Sequence, residues 1–475
     1  MRVFIGLFFI VSIICSIAIG GEEVTLNQKA DGFRGIWYQC GVIHNEYVYK
    51  YSGGLGTYCA KHSPFAIYSK EADKTFFCYG GSTKENSTRL LHMVSYYDHK
   101  TGLVARPTVL LDKKTEDAHD NPVISLDDDG YIWIFSTSHG TGRPSYIHKS
   151  KEPFDVSEFV RVDAVRKDDS GKEVPLDNFS YFQAYNVEGK FFNFFTRYNY
   201  PAQRTICYMT SDDGVKWSKF NRIAAMDLGH YEVGNVTEGK AATAFDYHPK
   251  GRGLDWRTNL YYLETVDDGV SWQTVDGKKV TLPLTEPNSI AMVKEYESKK
   301  LNVYLKKLLF DKAGRPVILY ITSKGWKSGP ENDPRVWTIA HWNGKSWDIN
   351  PVTQSDNNYD FGAFFIDNDG TWQIIAPTET GPQPYNPGGE IAMWISKDQG
   401  KSWQKVRQLT KGSEYNHTFA RCVVNANDDF YAFWADGHCR KPSDSRLYFC
   451  NKAGDVYQLP VEMEGEFARP VRMFK

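Results

Sequence analysis

Four side chains stand at the edges of two consecutive strand pairs and are of types that move protons or hold an anion. His119 lies in Asp117-Ala-His119-Asp-Asn121-Pro, just ahead of an apolar strand, and His139 lies in Ser136-Thr-Ser-His139-Gly-Thr-Gly-Arg143-Pro, just after the next. Tyr181 opens the following unit in Phe179-Ser-Tyr181-Phe-Gln183, and Arg197 ends its second strand in Phe195-Thr-Arg197-Tyr. Histidine and tyrosine exchange protons, and arginine is a permanent cation that grips a carboxylate through two parallel N–H donors. Each also has a plainer reading: a turn hydrogen bond for the histidines, core packing for the tyrosine, a solvated strand end for the arginine. Their shared position at strand starts and exits sets them apart, because inner strands of neighbouring sheets line one channel.

The elements that must position them are announced by a phrase that returns three times. It reads Thr210-Ser-Asp212-Asp-Gly214-Val-Lys-Trp217, Thr265-Val-Asp267-Asp-Gly269-Val-Ser-Trp272 and Ser396-Lys-Asp398-Gln-Gly400-Lys-Ser-Trp403. This is the Asp-box skeleton, in which an Asp folds back onto the turn, Gly supplies a positive φ and Trp packs between sheets. In phase with it run pairs of short apolar strands joined by acidic or glycine turns, clearest around Asp127-Asp-Asp-Gly130 and again at Glu188-Gly189, Asp311-Lys-Ala-Gly314 and Asp367-Asn-Asp-Gly370. An inner hairpin followed by an outer, box-bearing hairpin makes one four-stranded blade. Units fall at roughly 57–111, 119–165, 181–226, 240–282, 303–352, 361–410 and 417–470, the fifth keeping only the box tail Gly344-Lys-Ser-Trp347. The expected fold is all-β: a single-domain, seven-bladed β-propeller over residues 21–475, with six blades and an N-terminal cap as the alternative.

Residues 1–20 read as a cleaved signal peptide: Arg2, an apolar run through residue 19, then Ala18-Ile-Gly20 as a small-residue cleavage site. A secreted or periplasmic protein is therefore expected, free of membrane once the signal is removed, since no later run is long enough to span a bilayer. The net charge of −2 gives no global attraction to nucleic acid. Beyond Cys15 in the signal, Cys40, Cys59, Cys78, Cys207, Cys422, Cys439 and Cys450 are odd in number and widely spaced, which suits buried free thiols better than a disulfide framework. A structural metal site could draw on Cys422, His438 and Cys439; no metal or cofactor is required.

Longer phrases carry a resemblance. Gly32-Phe-Arg-Gly-Ile-Trp-Tyr38, Tyr49-Lys-Tyr-Ser-Gly-Gly-Leu-Gly-Thr-Tyr58 with Lys61-His62, Asp117-Ala-His-Asp-Asn-Pro122, Gly229-His-Tyr-Glu-Val233, Phe245-Asp-Tyr-His-Pro249 and Arg257-Thr-Asn-Leu-Tyr-Tyr-Leu-Glu-Thr265 together resemble the BNR-repeat polysaccharide-lyase-like family, which includes secreted ulvan lyases built as seven-bladed propellers. The resemblance spans nearly all of the chain after the signal. It implies a lyase acting on an anionic, sulfated, uronic-acid-containing polysaccharide; the chain itself is expected to be a monomer. It also implies a site of two histidines, a tyrosine and an arginine, in an order that matches His119, His139, Tyr181 and Arg197. In β-elimination a base removes the proton on C5 while the oxygen on C4 departs. That proton is poorly acidic until the adjacent carboxylate is neutralised, the role implied for Arg197. Tyr181 and His119 would carry the proton transfers, with His139 orienting or sharing the base role; residue type alone leaves base and acid open. Lys61, His62, Arg143 and Arg257 are candidate binding groups for carboxylate or sulfate.

Two other classes compete. A sialidase-like or other exo-glycoside hydrolase would use the same boxes, but the chain has no Arg-Ile-Pro phrase, and no pair among Asp117, Asp120, Glu232 and Glu264 is singled out as the two carboxyls a hydrolase needs. A non-catalytic carbohydrate-binding propeller would keep the aromatic channel and need no base.

Overall fold

The computed structural model describes residues 25–473, so the expected signal peptide lies outside the described residues. Strands carry almost all the regular structure; helical turns among the described residues are the short 3-10 segments Ala118–Asp120 and Pro330–Asn332. The β-branched and aromatic runs read from the sequence become strands buried on both faces, as in Pro316–Ser323 (PVILYITS), every residue of which is buried.

Antiparallel sheets follow one another along the chain. Pro122–Leu126, Ile132–Ser136, Tyr146–Ser150 and Phe159–Val162 make one four-stranded sheet. Ser180–Gln183, Lys190–Tyr198, Arg204–Ser211 and Asn221–Ala224 form the body of the next. Further sheets are built on Glu232–Thr237, on Asn302–Phe310 and on Ala363–Ile366. The first and last units are not separate as the sequence suggested. Ala66 and Ile67 pair in parallel with Val423 and Val424, which merges the two into one twelve-stranded sheet and brings both ends of the described chain together.

The core lies between adjacent sheets. Trp133 and Phe135 of one sheet pack with Phe191 and Trp217 of the next, and Phe194 and Tyr208 continue the stack onto Phe245 and Trp272. The Asp-bearing turns seal these seams. Thr265 Oγ1 accepts the Gly269 N–H at 2.9 Å and Asp267 Oδ1 the Ser271 N–H at 2.9 Å; Ser396 and Asp398 repeat this with Gly400 and Ser402. In the first phrase Asp213, not Asp212, holds the turn. Ser211 Oγ accepts the Gly214 N–H and Asp213 Oδ1 the Val215 and Lys216 N–H groups, because this turn is one residue tighter. Gly214 has φ 71° and a Cβ there would stand 2.4 Å from the Trp133 ring, so no other residue fits.

All seven cysteines of the described residues are free. The suggested metal grouping of Cys422, His438 and Cys439 does not form: the Cys422 thiol faces the Phe364 carbonyl and that of Cys439 the Pro387 carbonyl.

Candidate active site

A cavity of about 670 Å³, including its open mouth, collects side chains from strands and loops distant in sequence. His119 reaches it from the 3-10 turn Ala118–Asp120. The Asp117 side chain caps that turn by accepting the His119 N–H at 3.0 Å, and Thr137 Oγ1 ties its carbonyl to the next strand at 3.1 Å. His139 follows the strand Ile132–Ser136, with its backbone N–H held by buried Asp120 at 2.6 Å. Tyr181 sits in Ser180–Gln183 with φ 49°, a left-handed conformation that costs energy for a bulky residue and aims the ring at the histidines.

The histidine rings stack at 4.0 Å between centroids, and one carboxylate organises both. Asp117 Oδ1 lies 2.5 Å from His119 Nδ1 and its Oδ2 lies 2.8 Å from His139 Nδ1. A carboxylate only accepts, so each histidine carries its proton on Nδ1 and turns a bare Nε2 outward. Those two nitrogens fare differently. His119 Nε2 is engaged by the hydroxyls of Tyr58 at 2.7 Å and Tyr51 at 2.8 Å, whereas His139 Nε2 makes no such bond and its side chain is 29% exposed. Burial, then the neighbouring His139, lowers the His119 pKa to about 4, so its imidazole is neutral near pH 7. Burial alone would raise Asp117; His119 and His139 outweigh it and hold the carboxyl well below the usual range.

Tyr181 lies 6.0 Å from each histidine ring, with its hydroxyl 3.2 Å from that of Tyr198 and 3.4 Å from that of Tyr231. Burial pushes its pKa well above the ordinary phenol value, so it is protonated at rest. Two arginines flank Tyr231. Arg204 stands 4.7 Å from its ring and Arg257 4.6 Å, both buried; Arg204 Nε and Nη1 and Arg257 Nε have no hydrogen-bond partner. Lys61 donates to the Leu305 carbonyl at 2.8 Å, and burial lowers its pKa to about 8. The buried carboxylate of Asp246 acts on all three cations, yet three positive charges against one negative, with guanidinium nitrogens left unbonded beside tyrosine faces, make a site ready for an anionic group.

Of the residues named from sequence, His119, His139, Tyr181, Lys61 and Arg257 line this cavity. Arg197, Arg143 and His62 do not. Arg197 donates to Asn178 Oδ1 at 2.6 Å and to the Asn178 carbonyl at 3.0 Å, beside Phe220. Strand register explains the correction: Tyr198 pairs with Arg204 across the hairpin and Arg197 with Thr205, so alternation sends Tyr198 and Arg204 to one face and Arg197 to the other. Arg143 braces the carboxylates, gripping Asp120 through Nε at 2.6 Å and Nη2 at 2.9 Å and reaching Asp117 at 3.2 Å. His62 is fully buried behind Tyr181, ring to ring at 6.1 Å. Sequence reasoning missed Arg204, Tyr51, Tyr58 and Tyr231. The tyrosines lie inside the phrases that carried the resemblance, but nothing in those phrases marked them as cavity residues.

Asp117, His119 and His139 are the one grouping among the described residues with metal-ligating atoms all within 4.8 Å. They supply three ligands where a closed structural zinc site takes four, and their facing atoms are already engaged with one another.

A profile of the BNR repeat-containing family matches residues 82–355. Among curated relatives, an ulvan lyase of Alteromonas sp. (strain LOR) is 23% identical over 376 residues, covering 72% of this chain and 74% of that protein. An ulvan lyase of Pseudoalteromonas sp. (strain PLSV) is 24% identical, covering 74% and 75%. The solved structure of a PL25 ulvan lyase superposes with a TM-score of 0.68 at 17% identity, covering 90% of this chain and 96% of that one. The polysaccharide lyase Uly1 superposes with 0.61 at 12% identity, covering 91% and 99%.

Proposed function

We propose that this chain, which belongs to the BNR repeat-containing family, is a secreted polysaccharide lyase that cleaves a sulfated, uronic-acid-containing polymer of the ulvan type by β-elimination. The observation that carries the reading is one cavity in which a histidine with a bare Nε2 and a protonated tyrosine stand beside buried arginines with unpartnered nitrogens. The ulvan lyase relatives and the shared fold support the substrate class. We read the repeating sheets as seven blades around an axial channel, with the first and last joined by the parallel pairing at Ala66 and Val423.

Arg204 is the carboxylate neutraliser in this proposal, in place of Arg197. Drawing charge from the carboxylate acidifies the adjacent C5–H, and a desolvated guanidinium does so far better than one in water. His139 Nε2 takes the C5 proton, the C4–O bond breaks, a C4–C5 double bond forms, and Tyr181 gives its proton to the departing oxygen; no water is consumed. Asp117 keeps both histidines in the tautomer this needs. His119, its Nε2 held by Tyr51 and Tyr58, orients the stack rather than taking the proton, which exchanges the roles expected from sequence. Arg257 and Lys61 hold a neighbouring carboxylate or sulfate.

Following ultraviolet absorbance while the protein acts on ulvan tests the reading. Absorbance from the unsaturated product, lost in Arg204→Ala, is expected. New reducing ends without absorbance would move the protein to the hydrolases, and neither signal on any uronate polymer would leave a binding propeller.

A further inference from the structure

Behind the catalytic cavity lies a second one of about 380 Å³, including any open solvent, and its wall is cationic without a carboxylate. Ala60 and Lys306 line both cavities; the second adds His62, Lys307, Arg421 and Cys422. Arg421 is 4% exposed, its guanidinium 4.7 Å from the Phe65 ring and 4.3 Å from that of Phe361. Its Nη2 donates to the carbonyls of Cys59 and His62, and its Nη1 has no partner. His62 is completely buried with neither ring nitrogen hydrogen-bonded.

This arrangement is costly as it stands. Burial lowers the Arg421 pKa only to about 10, so the guanidinium stays charged at neutral pH, and the groups that act on it electrostatically are thiols and a tyrosine rather than carboxylates. Arg204 and Arg257 also have guanidinium nitrogens without a hydrogen-bond partner, but they share the buried carboxylate of Asp246 and face the cavity that a polyanionic substrate would enter. Arg421 faces the chamber behind it. Lys307 adds a second cation within electrostatic reach of Arg421, while the acid that acts on Lys306 is Asp360, which does not line the chamber.

We infer that this chamber is a binding site for a small monovalent anion, chloride in ordinary saline, held by Arg421 Nη1 and a His62 ring N–H with Lys307 supplying further positive charge. Neutral imidazole carries one N–H, and with no competing acceptor the anion sets which nitrogen bears it. Phe65, Phe361, Pro64 and Val233 make much of the remaining wall apolar, which suits a halide over an oxyanion whose several oxygens each need a donor. The site is independent of the proposed lyase activity and is tested without it.

Crystals grown with bromide in place of chloride should show an anomalous peak against the Arg421 guanidinium. In solution the melting temperature should rise by about 1 to 1.5 °C per tenfold increase in chloride or bromide above the dissociation constant, against gluconate at equal ionic strength. Arg421→Met should abolish that dependence. Should this variant fail to fold, Lys307→Met should keep the fold and shift the halide response to about tenfold higher concentration. A chamber holding only water that bromide does not replace, with equal melting in chloride and gluconate, overturns the inference.

Discussion

The Asp-bearing turns and the candidate active-site cavity treat polar groups in opposite ways. In the turn at 396–403, Ser396 and Asp398 accept or donate five hydrogen bonds within eight residues, so the turn is complete from local sequence. In the cavity, Arg204, Arg257 and the hydroxyls of Tyr304 and Tyr359 are buried with polar atoms unpartnered. A fold tolerates such debts where something else settles them, and at a site facing a substrate channel the substrate does so. Under the proposed function the turns serve stability and the cavity serves chemistry, and substitutions in the two should separate these properties.

The largest separation is expected at the two arginines. Arg204→Ala should lower kcat/KM by about a thousandfold or more, as loss of a charge-stabilising donor does, while Arg197→Ala should stay within about threefold, its partners lying outside the cavity. Equal losses would return the neutralising role to Arg197. His139→Asn and Tyr181→Phe should each cost about 10²–10⁴ in kcat, with melting temperatures close to the parent. Trp272→Ala should do the reverse: about 3–5 kcal/mol of stability lost on denaturant titration, with kcat of the folded fraction unchanged, since Trp272 is buried between sheets away from the cavity.

Titration sharpens the same contrast. Burial lowers the folded-state pKa of His119, His148 and His230 from 6.5 to about 4. The unfolded chain therefore binds protons first, so stability is full above pH 6.5 and drains as pH falls to 4, by roughly 3 kcal/mol for each histidine. Melting temperature against pH checks this, and His148→Gln should remove one share of the slope without touching catalysis. The smallest effect is expected at Lys61. With its pKa near 8, it loses its charge above that pH, and KM for an anionic polymer should rise a few-fold between pH 7.5 and 9 while Lys61→Arg flattens the change.

Much of the cavity was legible because its residues sit where short motifs end. His119 follows a capping Asp and precedes a proline-led strand, His139 follows a strand that closes on Ser136, and Tyr181 opens another. Arg204 was not legible. It lies seven positions beyond Arg197 in the same hairpin, and only cross-strand register decides which of the two faces the tyrosines. The Asp212 misreading has the same origin one level down, where a turn tighter by one residue moves the role to Asp213.

By itself the sequence determined the strands, their turns, the all-β class and the chemical types at the strand ends, since each depends on residues within a few positions of one another. Tertiary structure alone decided which histidine keeps a bare nitrogen, which arginine enters the cavity, and that first and last units share a sheet. Those outcomes depend on contacts between residues tens to hundreds of positions apart, such as Tyr58 with His119 and Ala66 with Val423, and side-chain direction there follows from register and packing that no local pattern encodes.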